Sequence, residues 1–458
     1  MGKFSFVATA LGACLGWAGA AWAGAATLEV GPGKHFQRIE DANAQARPGD
    51  VVMVYPLADD QPYARTAVSV TQKNVTFRAV VGPDKMRVKI SGSGFDYSGA
   101  GSVPRAIFQF NRGSDGCLLE GFDLAGAHNP SHNGAGLRIN QANDVTVRNC
   151  EIHANDMGIM SNGDGSLTAG ANQFIERCLI HHNGDKEEPG QNHNLYLGGA
   201  SVTLFACEVH SSLTGHNVKS RAHLTAVLAC YIHHSNNREF DLVDAKETDL
   251  PGSDALLVGN VIVKDPACAG NRGVIHFGQD GGNPHAGTLT LANNTIITPF
   301  IAPVVDLSAA EAHARLLNNI VCDGAAGQQH MTLVEARRAG ADLTHASGTH
   351  NAFAAGFAPL AAGFAAESNL ILTTPPPFTD PRRGDYHLAS KDRHLAGMGL
   401  PWDKLGIAAV ALPAGPAARP NKFALDWEYQ APAAAAARAD HGTTLGAYAW
   451  KWSATSPR

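Results

Sequence analysis

Four pentapeptides share one frame: Asn149-Cys150-Glu151-Ile152-His153, Arg177-Cys178-Leu179-Ile180-His181, Ala206-Cys207-Glu208-Val209-His210 and Ala229-Cys230-Tyr231-Ile232-His233. Gly121-Phe122-Asp123-Leu124 precedes them in the same frame. Asn260-Val261-Ile262, Asn294-Thr295-Ile296 and Asn319-Ile320-Val321 follow. The interval between units varies from 23 to 34 residues while the signature persists. A fixed strand signature with loops of variable length marks a repeat architecture. Each unit alternates apolar, β-branched positions with polar ones, and no helical spacing intervenes. Short strands repeated in this way coil into a parallel β-helix, an all-β solenoid whose rungs stack about 4.8 Å apart.

That register makes Cys150, Cys178, Cys207 and Cys230 one inward column, continued by Asn260, Asn294 and Asn319. Small thiols pack well there. A metal site built from these thiols is disfavoured, because no Cys-x-x-Cys pair occurs and the column points into a narrow core. Cys14 falls in the leader, so seven of the eight cysteines remain. Seven is odd, and the four column thiols are expected to be reduced and buried.

The 458 residues contain 49 glycines and no sharp break in composition, which fits one long solenoid. Lys3, an Ala/Gly-rich apolar run and Ala21-Trp22-Ala23 read as an export signal over 1–23, cleaved near Ala23. The mature chain is therefore expected to be periplasmic or secreted, without a membrane span, and monomeric. Residues 24–351 are assigned to the β-helix. Phe36 to Ala46 has the spacing of a short helix capping the first rung. Residues 352–458 are assigned to terminal rungs and a Pro/Ala-rich tail, including the run Ala431 to Ala437. A net charge of −6 gives no general attraction to nucleic acid, so an anionic ligand needs a local cluster of cations.

VGPGKHFQRIEDANAQARPGDVVMVYP resembles the opening of the pectate-lyase-like superfamily of right-handed parallel β-helices. DPRRGDYHLA and LGAYAW resemble its closing segments. The resemblance implies that fold and an acidic polysaccharide as partner. It leaves lyase, hydrolase, epimerase and non-catalytic binder open.

The inward residues Leu137, Ile159, Leu195, Val218, Phe240 and Ile275 align the rungs. The following outward column then reads Arg138, Met160, Tyr196, Lys219, Asp241, His276. Asn194, Asn217 and Glu239 are expected one outward position earlier, and Asn140, Asn162, Gly198 and Arg221 one later. His193 and His216 begin successive rungs at the edge of the patch. The inserts 184–192, 244–254 and 278–287 are expected to wall a groove over it. Lys219 and Asp241 alone make a cross-strand ion pair, worth up to about 1 kcal/mol on a surface. His153, His181, His210 and His233 form a separate column on another face, read as a structural ladder.

HNVKSRA is similar to the VKS strand of β-helix alginate lyases and chondroitinase, where a lysine here and an arginine on the next rung act on a uronic acid. Lys219 matches the lysine. Asp241 stands where the arginine would be, and Arg221 and Arg238 are the nearby cations. β-Elimination needs a neutralised carboxylate, a base for the C5 proton and a proton for the departing C4 oxygen. Arg221 suits carboxylate pairing. Lys219 is a neutraliser or a base, and Tyr196 or His216 transfers the proton. Asn194, Asn217, Arg138, Arg238, Glu239, His193 and His276 are candidate substrate contacts. Calcium, which some relatives use, stays open, and no dense Asp cluster calls for it. A hydrolase would draw its carboxylate pair from Glu239, Asp241 and Asp244.

Overall fold

The computed structural model describes residues 24–449 apart from 82–86, 101–102, 189–190, 300–302, 324–331, 337, 339, 358–359, 390–394, 408–426 and 441–442. The expected leader over 1–23 lies outside the described residues.

Three parallel sheets run the length of the molecule, with 12, 10 and 12 strands among the described residues. Each turn of the chain contributes one strand to each sheet. Met157–Asn162, Gln173–Glu176 and Leu179–His181 form one such turn, and Leu195–Leu197 begins the next, paired in parallel with Met157–Asn162. This is the right-handed parallel β-helix. The cap is a single short helix, Ile39–Gln45, whose Ile39 and Ala42 are buried over the first rungs. The third sheet continues past residue 351 through Ala352–Ala354 and Leu370–Leu372. Two antiparallel hairpins follow, Phe378–Asp380 with Asp385–Leu388 and Trp427–Gln430 with Ala434–Ala437. No helix among the described residues is long and apolar enough to cross a membrane.

The repeated frame is a corner. Asn149, Arg177, Ala206 and Ala229, each just before a column cysteine, adopt left-handed φ of 52°, 52°, 54° and 49°. Non-glycine residues resist this conformation, so the stacking on either side holds it. Cys150, Cys178, Cys207 and Cys230 are fully buried and unpaired as disulfides. Cys207 N–H donates to Cys230 Sγ at 3.3 Å, so the column is bonded along its axis. The asparagine continuation is bonded more strongly. Asn260 donates from both its backbone N–H and its Nδ2 to Asn294 Oδ1, at 2.9 and 3.0 Å. Asn294 does the same to Asn319, and Asn319 to Asn351. A second inward ladder, unforeseen, runs Asn155, Asn183, Asn194, Asn217, Glu239 at the opposite corner. The histidine column is a stack, with ring centroids 5.1, 4.9 and 4.8 Å apart from His153 through His181 and His210 to His233.

Candidate active site

The ten-stranded sheet carries the column read from the sequence. Arg138 pairs in register with Met160, Met160 with Tyr196, Tyr196 with Lys219, Lys219 with Asp241, and Asp241 with His276. Asp306 and Glu335 extend it. The alternation places these side chains outward, yet the patch is not an open surface. Lys219 is only 7 % exposed, Asp241 2 % and His276 5 %. Two of the flanking inserts reach it, 278–287 through Asp280 and 244–254 through the Asp244 carbonyl.

Asp241 is the hub. Its Oδ2 accepts from Lys219 Nζ at 2.6 Å and faces His216 Nε2 at 3.4 Å. Its Oδ1 bonds His276 Nδ1 at 2.8 Å and Arg238 Nη1 at 3.1 Å. Burial works to raise the Asp241 carboxyl. The His216 and His276 rings and the Lys219 ammonium outweigh it and hold the group ionised, well below the usual carboxylate range. His276 Nε2 is tied to Ser308 Oγ at 2.6 Å, a partner that the sequence reading missed.

Lys219 and Arg221 meet on a second carboxylate, also missed. Asp280, in the insert 278–287, places Oδ2 2.7 Å from Lys219 Nζ and Oδ1 2.7 Å from Arg221 Nη2. Arg221 Nε donates to Tyr196 Oη at 3.1 Å, and Arg221 Nη1 to the Asp244 carbonyl. Tyr196, Lys219 and Arg221 thus form one cluster of a phenol and two cations around a single carboxylate.

The two edge histidines each have Nδ1 committed as an acceptor. Arg238 N–H donates to His216 Nδ1 at 3.1 Å, so the ring proton sits on Nε2, toward Asp241. His216 N–H donates in turn to His193 Nδ1 at 3.0 Å. Burial lowers His216 to about 4 and His193 well below its ordinary value, so both are neutral. His193 stacks between Tyr196 and His216 at 5.5 and 5.0 Å. Of the two expected proton-transfer partners, Tyr196 stands at the cation pair, whereas His216 faces Asp241 with its Nε2.

Three expected substrate contacts face the wrong way. Asn194, Asn217 and Glu239 are fully buried in the second inward ladder, not outward. Asn194 Nδ2 donates to Asn217 Oδ1 at 2.8 Å, and Asn217 Nδ2 to Glu239 Oε2 at 2.6 Å. The strand begins at Leu195, so Asn194 lies in the corner, where strict alternation no longer applies. Burial lifts Glu239 to about 7. Arg138 lies three rungs from Lys219, roughly 14 Å along the axis. It is half-buried beside Asn162, to whose Oδ1 its Nη2 donates at 3.2 Å.

The carboxylates of a hydrolase pair are likewise occupied. Glu239 is inside and Asp241 is ringed by donors. Asp244 clasps the 278–287 loop, accepting from the N–H groups of Asp280, Gly281 and Asn283 at 2.6, 2.8 and 2.7 Å. Burial opposes ionisation of Asp244, but these N–H donors hold its carboxyl low. Asp241, Asp244 and Asp280 all face nitrogen donors, so they do not form a calcium-type oxygen cage. A cavity of about 520 Å³ on the first sheet, lined by Thr203, Leu224, Thr225, Thr290 and Arg315, contains none of this chemistry.

No family model matches the chain, and no curated protein matches it by sequence. Among solved structures, pectate lyase Pel9A is similar over 85 % of this chain and 94 % of its own, at 12 % identity and a TM-score of 0.50. A PL6 family alginate lyase covers 76 % of this chain and 53 % of its own, at 10 % identity and a TM-score of 0.40. A pectin methylesterase from Aspergillus niger covers 76 % and 98 %, at 12 % identity and a TM-score of 0.33. At such identities the likeness is one of fold: the chain is a right-handed parallel β-helix similar in architecture to pectate lyase Pel9A.

Proposed function

We propose that the protein is an exported polysaccharide lyase that cleaves a uronate-containing polymer by β-elimination. One observation carries the reading. Lys219 Nζ and Arg221 Nη2 converge on the two oxygens of one carboxylate, with Tyr196 Oη bonded to the same guanidinium. A uronate carboxylate held by both cations has its charge neutralised, which makes the adjacent C5 proton acidic. Arg221 supplies planar pairing and Lys219 a point charge. Lys219 already donates to Asp241, so it acts as a neutraliser. Tyr196, as phenolate, takes the C5 proton while Arg221 Nε donates to its oxygen. The released electron pair forms the C4=C5 double bond and the C4–O bond breaks. The phenol then returns a proton to the departing oxygen. Asp241 fixes Lys219, and His216, Arg238 and His276 fix Asp241.

Arg138, further along the same column, takes the carboxylate of a more distant sugar in this reading. His193, stacked on Tyr196, orients the phenol. The test is incubation of the purified protein with a panel of acidic polysaccharides, followed by the absorbance of unsaturated uronate. A double-bond signal that rises with new chain ends is the expected result. New reducing ends without that absorbance would overturn the lyase assignment in favour of hydrolysis, and neither signal with any acid of the panel would leave a binding protein.

A further inference from the structure

The two cations assigned to the substrate carboxylate are not waiting empty. Asp280 is brought to them from about sixty residues down the chain by a loop with its own fastening. Asp244 accepts from three backbone N–H groups of that loop, and Gln279 N–H donates to Ser308 Oγ at 2.7 Å. The loop lies between Gly278 at φ 139° and Gly282 at φ 100°, backbone that side chains rarely adopt. Asp280 itself is held only through its carboxylate and its backbone N–H. Its side chain is 29 % exposed, against 9 % for Lys219. It is the outermost member of the cluster and the one that can leave without unpacking the sheet.

We infer that Asp280 is the specificity-determining residue of this site. Its carboxylate occupies, in the free protein, the place that a hexuronate carboxylate takes in the complex. This rests on the lyase reading for the identity of the pocket and extends it to how the pocket chooses. A neutral sugar has no group that can replace Asp280 on both cations, and displacing Asp280 would leave Lys219 and Arg221 with one partner fewer. A uronate exchanges one carboxylate for another, and the two cations stay paired throughout. Discrimination between acid and neutral units then comes from the cost of opening, in addition to the attraction of the cations. The same competition lowers the apparent affinity for the correct substrate, because only the fraction of molecules with Asp280 displaced can bind.

The experiment measures binding, separately from turnover. Wild-type protein, Asp280→Asn and Asp280→Glu are titrated calorimetrically with oligogalacturonate and oligomannuronate, and with the carboxyl-reduced oligomer of each. Melting temperature is recorded for all three proteins. Asp280→Asn is expected to bind the acidic oligomer at least about tenfold more tightly than wild type. Asp280→Glu should return towards wild type, and the reduced oligomers should bind wild type undetectably. Equal or weaker binding of the acid by a folded Asp280→Asn overturns the inference. Tighter binding by the variant with no elimination product from either protein would sustain the inference and remove the lyase reading. Elimination by wild type with unchanged affinity in the variant would do the reverse. No binding of any acid to either protein would overturn both.

Discussion

Lys219 Nζ and Asp241 Oδ2 are 2.6 Å apart on neighbouring rungs, and only 9 % and 2 % of the two side chains remain exposed. The pair is a buried charge centre. Two cations, Lys219 and Arg238, and two imidazoles, His216 and His276, surround Asp241. Removing one member of a buried ionic network leaves charge without compensation, typically at about 3–5 kcal/mol. Asp241→Ala is therefore expected to lower unfolding stability by that amount in urea titrations. A loss below about 1 kcal/mol would place the network with ordinary surface pairs.

Lys219 and Arg221 should separate in stability but not in activity. Each removes a charge from the reacting centre, and each should reduce turnover of an acidic polysaccharide on the order of a hundredfold or more. Arg221 is 24 % exposed, so Arg221→Ala should shift stability by no more than about 1 kcal/mol. Lys219→Ala removes the cation on Asp241 Oδ2, leaving Arg238 and His276 on Oδ1, and should destabilise the fold clearly. Lys246→Ala, on an exposed loop, should match wild type in both measurements. Near-full activity in Lys219→Ala with a lowered melting point would mean that the lysine is structural only.

The rung register was legible because one inward apolar residue per rung, Leu137 through Ile275, fixes which neighbours face outward. The same rule applied to Val305 would have added Asp306 to the column. It failed at Asn194, Asn217 and Glu239, which precede the strands and occupy corners. There the chain turns, and two consecutive residues, Asn194 and Leu195, both point inward. Ladder asparagines and site asparagines look alike in sequence, since both are single polar residues beside an apolar run. Asp280 was beyond reach for a different reason. The insert that carries it was recognised, but where a loop delivers one side chain depends on its fastening by Asp244, a tertiary contact without local periodicity.

Acid should weaken the fold from about pH 6.5 downward. Burial holds His216 at about 4, His210 at about 3, and His193 and His233 below their ordinary value. Between those values and 6.5 the unfolded chain binds protons that the folded chain refuses, so stability rises with pH through that window and is lost as pH falls. Glu239 works the other way, since burial raises it from 4.5 to about 7 and the folded state takes its proton first. His182 and His285, also lowered by burial, bring the histidines that lose on acidification to six. Asp156, Asp185 and Asp123 raise His128, His132 and His153, which side with Glu239, and six against four leave a net loss. Urea midpoints measured from pH 7.5 to 5 should fall, and His210→Gln should flatten the slope by up to one proton, about 1.4 kcal/mol per pH unit. An unchanged slope in His210→Gln would show that this ring titrates normally in the fold.

The column that opens with thiols and closes with asparagines offers a graded test of what holds the corner. Asn294 accepts two donors from Asn260, gives its Nδ2 to Leu257 O at 2.8 Å, and donates to Asn319. All of these groups are buried. Asn294→Ala leaves at least two of them without partners, and each buried unsatisfied group costs about 1–3 kcal/mol. A loss of roughly 2–4 kcal/mol is expected. Asn294→Cys should lose less, because the column already uses a thiol as acceptor where Cys207 N–H meets Cys230 Sγ. A thiol accepts one N–H weakly and donates only weakly to the carbonyl one rung back, as Cys207 Sγ does to Ile175 O at 3.4 Å, in place of the 2.8 Å amide bond to Leu257 O. The expected order of urea midpoints is therefore wild type, then cysteine, then alanine. Native-state thiol labelling should stay slow at Cys150, Cys178, Cys207 and Cys230 in wild type and in Asn294→Cys alike. If the alanine variant unfolds at the wild-type midpoint, the amide ladder contributes nothing beyond filling space, and packing of the apolar rungs alone sets the corner.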